Sequence, residues 1–199
     1  MSNTDNKKTL TQIHSRKVVA KSGLFKIEQL DLEFSNGETR IFERMAGSGR
    51  GAVMVVPFIN EHEFLLVREY AAGTHTYELG FPKGLIDPGE SPAVAANREL
   101  KEEIGFGSKV LHPLHSLNMA PAFFDAKMTI FIAEDLYPEV LPGDEPEPLE
   151  VVTWSMNNID ALLAKDDFIE ARCIAALLLA EKNRVTLSYR KDVFSRLKP

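Results

Sequence analysis

The chain has 199 residues, 44% of them hydrophobic and 26% charged, with a formal net charge of −6. That length suits one domain with a real core, or a domain plus a small extra lobe. The acidic balance argues against a surface for DNA or anionic membranes, although metal ions can reverse the sign of a pocket locally, so a phosphate substrate stays open.

The first residues, MSNTDNKKTLTQ, are polar, lack the apolar stretch of a signal peptide, and predict a disordered start. No apolar run approaches the roughly 20 residues of a membrane helix. The expectation is a soluble, cytoplasmic protein that engages neither membrane nor nucleic acid. No internal repeat is present.

FKIEQLDLEF from Phe25 and TRIFERM alternate like half-solvated strands, and Ser35-Asn36-Gly37 between them is a strong hairpin signal. Residues 13 to 45 therefore read as a small antiparallel sheet, and residues 1–46 as a separate N-terminal unit. GSGRG, Gly47 to Gly51, lacks the Lys-Ser/Thr ending of a phosphate loop and reads as a hinge.

A larger unit, 47–199, follows. AVMVVPFI and FLLVREY read as buried strands joined by a turn at Asn60 to Glu63. TYELGF, LHSLNM, MTIFIA and VVTW are further strands, with APAFFDAK and the Pro- and acid-rich LYPEVLPGDEPEPLE as loops. NNIDALLA and DFIEARCIAALLLAEKNR have helical periodicity, and the basic tail to Pro199 reads as frayed. This order predicts an α/β sandwich, one sheet layer covered by helices. The single cysteine, Cys173, lies in an apolar run; it excludes disulfides and multi-cysteine zinc sites and reads as a small core residue.

In GLIDPGESPAVAANRELKEEIGF, Ser91 followed by Pro92 starts a helix and Gly105 stops it. Ala93, Ala96, Leu100 and Ile104 form one apolar stripe, with Glu99 and Glu103 on a shared face beside it and Glu102 pointing further outward. Like charges at that spacing repel. Either the glutamates pair with Arg98 and Lys101 on a solvated face, or a hard cation such as Mg²⁺ belongs against them.

The spacing is Gly84, five residues, Glu90, seven residues, Arg98-Glu99-Leu100, one residue, Glu102-Glu103, one residue, Gly105-Phe106. That pattern resembles the complete signature of the Nudix hydrolases. The resemblance implies an α/β/α sandwich and hydrolysis of a nucleoside diphosphate linked to a group X by water attack on phosphorus. It implies Glu99 and Glu103 as ligands of Mg²⁺, with Mn²⁺ a substitute, Glu102 as a third ligand or helper, Arg98 as the residue orienting the glutamates, and Glu90 as a brace.

Pro121, fifteen residues beyond Phe106, and the N-terminal sheet resemble the ADP-ribose pyrophosphatase branch, in which that sheet helps to form a homodimer with exchanged strands. LDLEFSNG, YELGFPKGLIDPGES and LYPEVLPGDEPEPL look like the bacterial ADP-compounds hydrolase subgroup, whose substrates are ADP-ribose, diadenosine triphosphate and NADH. Two departures, Ala71 in VREYA and Ala126 five residues after Pro121, remove groups expected at the substrate and point to a broader or shifted selectivity. By the Asp-Glu-x-Glu pattern of GDEPEPLE, the branch implies Glu145 as the general base and Glu147 as a metal contact. Arg44, Arg50 and Arg68 are candidate phosphate holders, Arg44 at the expected dimer contact. Phe123 and Phe124 are read as core aromatics before adenine platforms, and His112 and His115 as structural or exposed. Rival readings are a decapping or nucleotide-sanitising Nudix hydrolase and a catalytically silent nucleotide sensor. The latter is expected to lose box glutamates, and none is missing.

Overall fold

The computed structural model describes residues 9–196, with side chains through residue 183. The chain divides into two compact units: one running to Gly49 and including Asn118–Ala126, the other made of Arg50–Leu117 and the chain from Lys127 onward.

In the first unit, β1 (Gln12–Lys21), β2 (Lys26–Glu33) and β3 (Thr39–Ala46) form an antiparallel meander. The β2–β3 turn is held by Asn36, whose Oδ1 accepts from the Glu38 amide at 3.1 Å. β1 is a strand the alternation did not single out; all of its residues are exposed, and its register with β2 slips twice. A two-residue strand, Phe124–Asp125 (β9), lies within the stretch read as a plain loop and pairs in parallel with β3. Phe123, read as a core aromatic, is 56% exposed.

The second unit is an α/β/α sandwich whose strands pair as two sheets, where the sequence suggested one. β7 (Lys83–Leu85), β4 (Ala52–Pro57), β10 (Lys127–Pro138) and β8 (Phe106–Asn118) form one; β11 (Glu150–Ser155), β5 (Glu63–Ala71) and β6 (Thr76–Gly80) form the other. β4 and β5 are joined by the expected turn but meet only at a single bridge, Phe58 to Phe64, and then diverge. Two apolar runs report burial, not which edge each will pair with. β4 instead pairs in parallel with β10, which requires a long crossover; that crossover carries α1 (Pro92–Glu103). All six β4 residues are buried, as expected of a strand covered on both faces, and it packs against both α1 and α3 (Ala171–Arg196).

NNIDALLA becomes a 3-10 turn followed by α2 (Ile159–Leu163). Asp167 to Glu170, read as helical, precede α3; the Glu170 carboxylate accepts from the Cys173 amide at 3.0 Å and so caps its start. The tail read as frayed continues α3 through Arg196, and its last three residues, like the first eight, lie outside the described residues. Cys173 is fully buried and burial pushes its thiol up to about 12, so it is a core residue and no nucleophile. Among the described residues, no helix is long and apolar enough to cross a membrane.

Candidate active site

The helix α1 starts where Ser91 Oγ accepts from the Val94 amide at 3.3 Å with Pro92 in the first turn. It stops at Ile104, and Gly105 continues at φ 72°, a left-handed conformation that suits glycine. The buried side of α1 is Ala95, Ala96, Glu99, Leu100 and Glu103, continued by Ile104, while Ala93 is exposed. The apolar stripe is therefore turned by part of a step from the sequence reading. Glu99 and Glu103 stand within the buried face, each 7% exposed, rather than at its edge.

Arg98 gathers the acids. Its Nε and Nη2 donate to Glu90 at 3.0 and 3.1 Å, its Nη1 to Glu99 at 2.7 Å and Glu102 at 2.8 Å, and Nη2 also to the Leu85 carbonyl at 2.9 Å. Glu90 in turn accepts from the Asp87 amide at 3.0 Å, so one guanidinium ties the loop before α1 to the helix. These bonds hold the Glu90 carboxyl below its usual range. Glu99 goes the other way, to about 7, because burial outweighs the charge of Arg98, and Glu102 and Glu145 add repulsion.

Glu103 has less help. One oxygen accepts from the Lys83 amide at 3.2 Å; the other, Oε2, is buried with no hydrogen-bond partner. Burial pushes its carboxyl up to about 9 against the pull of Lys83. Burial also works against the Lys83 ammonium, but its hydrogen bond to Glu69 prevails and raises its pKa. Gly84 is a close-approach position: a Cβ there would stand 2.1 Å from Glu99 Oε1.

Among the described residues, no three acidic, His or Cys side chains stand together as a preformed cation cage. The donors nevertheless fit a hard cation. Glu99 and Glu103 offer oxygen only, their charge is poorly compensated by the protein, and Glu103 Oε2 is an orphaned buried acceptor.

The acidic loop brings Glu145 to the C-terminal end of α1: a Cβ on Gly143 would stand 2.3 Å from Glu145 Oε2 and 3.7 Å from the Glu102 carbonyl. Glu147 lies farther along and accepts a hydrogen bond from the Tyr77 hydroxyl. Arg68 donates to Glu150 at 2.7 Å and to Asp167 at 2.5 Å, and lines one cavity with Glu145 and Glu147. Arg50 donates to the Ile86 carbonyl at 2.8 Å and so braces the loop before α1. Arg44 and Pro121 belong to the first unit, where Arg44 pairs with Glu28 and Asp125, both at 3.1 Å, and Pro121 is exposed. His112 and His115 are exposed; His112 stands 3.8 Å from Glu134.

Sequence reasoning missed Lys83, Glu69 and Tyr77. Lys83 immediately precedes the box glycine, which was a usable signal. Its partner Glu69 is fourteen residues away on another strand, and nothing local links the two.

Comparison with known proteins places these residues in context. Residues 49–178 match the NUDIX domain, and residues 12–44 match the NudE-type Nudix hydrolase N-terminal domain. The chain is 53% identical over 182 residues to the ADP compounds hydrolase NudE of Escherichia coli (strain K12), covering 92% of this chain and 96% of that one. It is 27% identical over 168 residues to the ADP-ribose pyrophosphatase of Bacillus subtilis (strain 168), covering 81% and 90%. A crystal structure of an ADP compounds hydrolase matches with a TM-score of 0.83 at 54% identity, over 88% of this chain and 94% of that one. With the domain match spanning well over half its length around Gly84, Glu99 and Glu103, the chain belongs to the Nudix hydrolase family.

Proposed function

We propose that the chain is a pyrophosphatase that hydrolyses ADP-X compounds such as ADP-ribose, diadenosine triphosphate and NADH to AMP and X-phosphate. Nudix hydrolases depend on a divalent cation; here we assign Mg²⁺, with Mn²⁺ as a substitute. The observation that carries the reading is the pair of buried, poorly compensated carboxylates, Glu99 and Glu103, within a complete Nudix box. A silent sensor has no need of buried carboxylates left in that state.

In this reading Glu99 and Glu103 hold the cation, with Glu147 as a further contact from the loop. When bound, the cation neutralises the diphosphate and polarises the attacked phosphorus. Arg98 keeps Glu99 and Glu102 oriented, and Glu90 keeps Arg98 in place. Glu145 takes the proton of the attacking water as a new P–O bond forms and the P–O bond to the leaving phosphate breaks. Arg44, Arg68 and Pro121 contact the substrate. The acid partners of both arginines hold the guanidinium forks in position, and a phosphate would share their remaining donors.

We also assign a homodimer formed through residues 12–46, and a cytoplasmic location. The exposed apolar side chains of that sheet, among them Val18, Ile41 and Phe42, support the dimer. The test of function is a panel of ADP compounds with Mg²⁺, separated by chromatography and scored for AMP release. Cleavage of capped RNA or nucleoside triphosphates in preference to every ADP compound would refute the assignment.

A further inference from the structure

Lys101 interrupts the run of carboxylates on α1 but serves none of them. It lies two residues from each of Glu99 and Glu103, about 200° around the helix, and so on the opposite flank. Its ammonium pairs with Glu139 at 2.9 Å and stands 5.9 Å from the centre of the Tyr137 ring. The Lys101 side chain is only 17% exposed, a low value for a helix lysine. Tyr137 is itself held in place: a Cβ on Gly107 would overlap its ring.

Two main-chain hydrogen bonds run beside this pair. The last carbonyls of a helix have no partner within it. At the end of α1 the Leu141 amide donates to the Lys101 carbonyl at 3.1 Å, and the Glu139 amide donates to the Gly105 carbonyl at 3.0 Å. The chain that leaves β10 is thereby laid along the C-terminal turn of α1, with Glu139 and Lys101 closing the contact on its outer side.

That chain is the exit into the acidic loop. Residues 142–148 follow, with Pro142, Pro146 and Pro148 restricting the backbone. The loop is fixed again where Leu149 packs against the core and Glu150 pairs with Arg68. Glu145 is four residues beyond Leu141, at most about 14 Å of extended chain. A displacement at Leu141 is therefore passed to Glu145 with little slack. The helix that carries Glu99 and Glu103 is the same body that carries this anchor.

We propose that Lys101 and Glu139 are positioning residues for the reaction: their ion pair fixes the exit of the acidic loop on the last turn of α1 and so sets Glu145 in register with Glu99 and Glu103. Neither side chain touches substrate or cation; both act through Glu145. This role rests on the reading of Glu145 as the base in ADP-X hydrolysis, and adds to it the device that places the base.

The test is steady-state AMP release from ADP-ribose by the full chain at saturating Mg²⁺, for Lys101→Met and Glu139→Gln, each also in a Glu145→Gln background. Either variant is expected to lower kcat by about tenfold, short of the roughly 10²-fold of an ångström-size misplacement because the two main-chain bonds survive. KM is expected to stay within about twofold and the Mg²⁺ titration to stay unchanged. Lys101→Arg keeps the charge at this single contact and is expected to remain within about threefold of wild type. In the Glu145→Gln background Lys101→Met is expected to change kcat no further, because the group it places is already gone. Circular dichroism checks that each variant folds, and Glu139→Gln, at a side chain 43% exposed, keeps the test open if Lys101→Met unfolds the helix. Wild-type kcat in the folded variants overturns the positioning role. An equal loss in both backgrounds overturns it too, by showing that the pair does not act through Glu145, and leaves the function standing. A near-normal Glu145→Gln overturns the base assignment, and this role with it. A wild type that hydrolyses no ADP compound overturns the function itself.

Discussion

Glu99 and Glu103 stand one turn apart on the same buried face of α1, yet Arg98 reaches only Glu99, and Glu103 keeps one oxygen with no partner at all. A buried acceptor without a partner destabilises the fold that contains it. A fold retains such an atom where a ligand completes it.

Glu103→Gln preserves shape and helix propensity and removes one ligand charge. Turnover is expected to fall by orders of magnitude at saturating Mg²⁺, with an unchanged circular dichroism spectrum. In metal-free buffer at pH 8 the variant is expected to melt higher than wild type, because the amide is neutral in both states whereas Glu103, ionised in the unfolded chain, must take up a proton to be buried. Wild-type turnover would falsify its place among the ligands.

The same carboxyl sets a pH dependence for the metal-free protein. Folded, Glu103 holds its proton to about pH 9; unfolded, it releases it near 4.5. Below 4.5 both states are protonated and stability is fully present. As pH rises from 4.5 through 9 the unfolded chain binds fewer protons, so stability is lost across that window. Glu99, raised to about 7, adds in the same sense between 4.5 and 7. Thermal melts in chelator are expected to fall with rising pH over that range, and added Mg²⁺ to reverse the fall most strongly at the alkaline end. Flat melts from pH 5 to 9 would contradict the burial argument.

Gly84→Ala puts a methyl where Glu99 Oε1 lies, 2.1 Å from the new Cβ. Glu99 is pinned by Arg98 and enclosed, so it must leave its position. The expected result is a folded protein with turnover down by about 10²-fold, the scale of an ångström-size misplacement. Steady-state kinetics beside a melting curve distinguishes this from simple unfolding.

Glu145→Gln is expected to lower turnover by about 10²- to 10⁴-fold, the span of a general base, with Mg²⁺ dependence almost unchanged. Glu147→Gln is expected to shift the Mg²⁺ titration visibly instead. A near-normal Glu145→Gln with an inactive Glu147→Gln would exchange the two roles.

The exposed apolar surface of β1 to β3 predicts a dimer of C₂ symmetry. Sedimentation at micromolar concentration checks it. A stable monomer there removes the proposed part of Arg44 in a shared site.

Much of this protein is written locally. The cap at Ser91, the stop at Gly105, the turn at Asn36 and the spacing from Gly84 to Phe106 depend on neighbours a few residues apart, so the chain itself determined the helix, the hairpin and the box that carries the carboxylates. Burial of β4 was legible for the same reason, as an unbroken apolar run. Pairing was not: β4 and β5 share a turn and part into different sheets, because an apolar strand offers two equivalent edges and only the assembled layers choose between them. The rotation of α1 that sinks Glu99 and Glu103 into the buried face, the orphaned oxygen of Glu103, and the meeting of Tyr77 with Glu147 across seventy residues were likewise decided by packing. Desolvation and cross-chain contact are properties of the folded neighbourhood, and no window of sequence contains them.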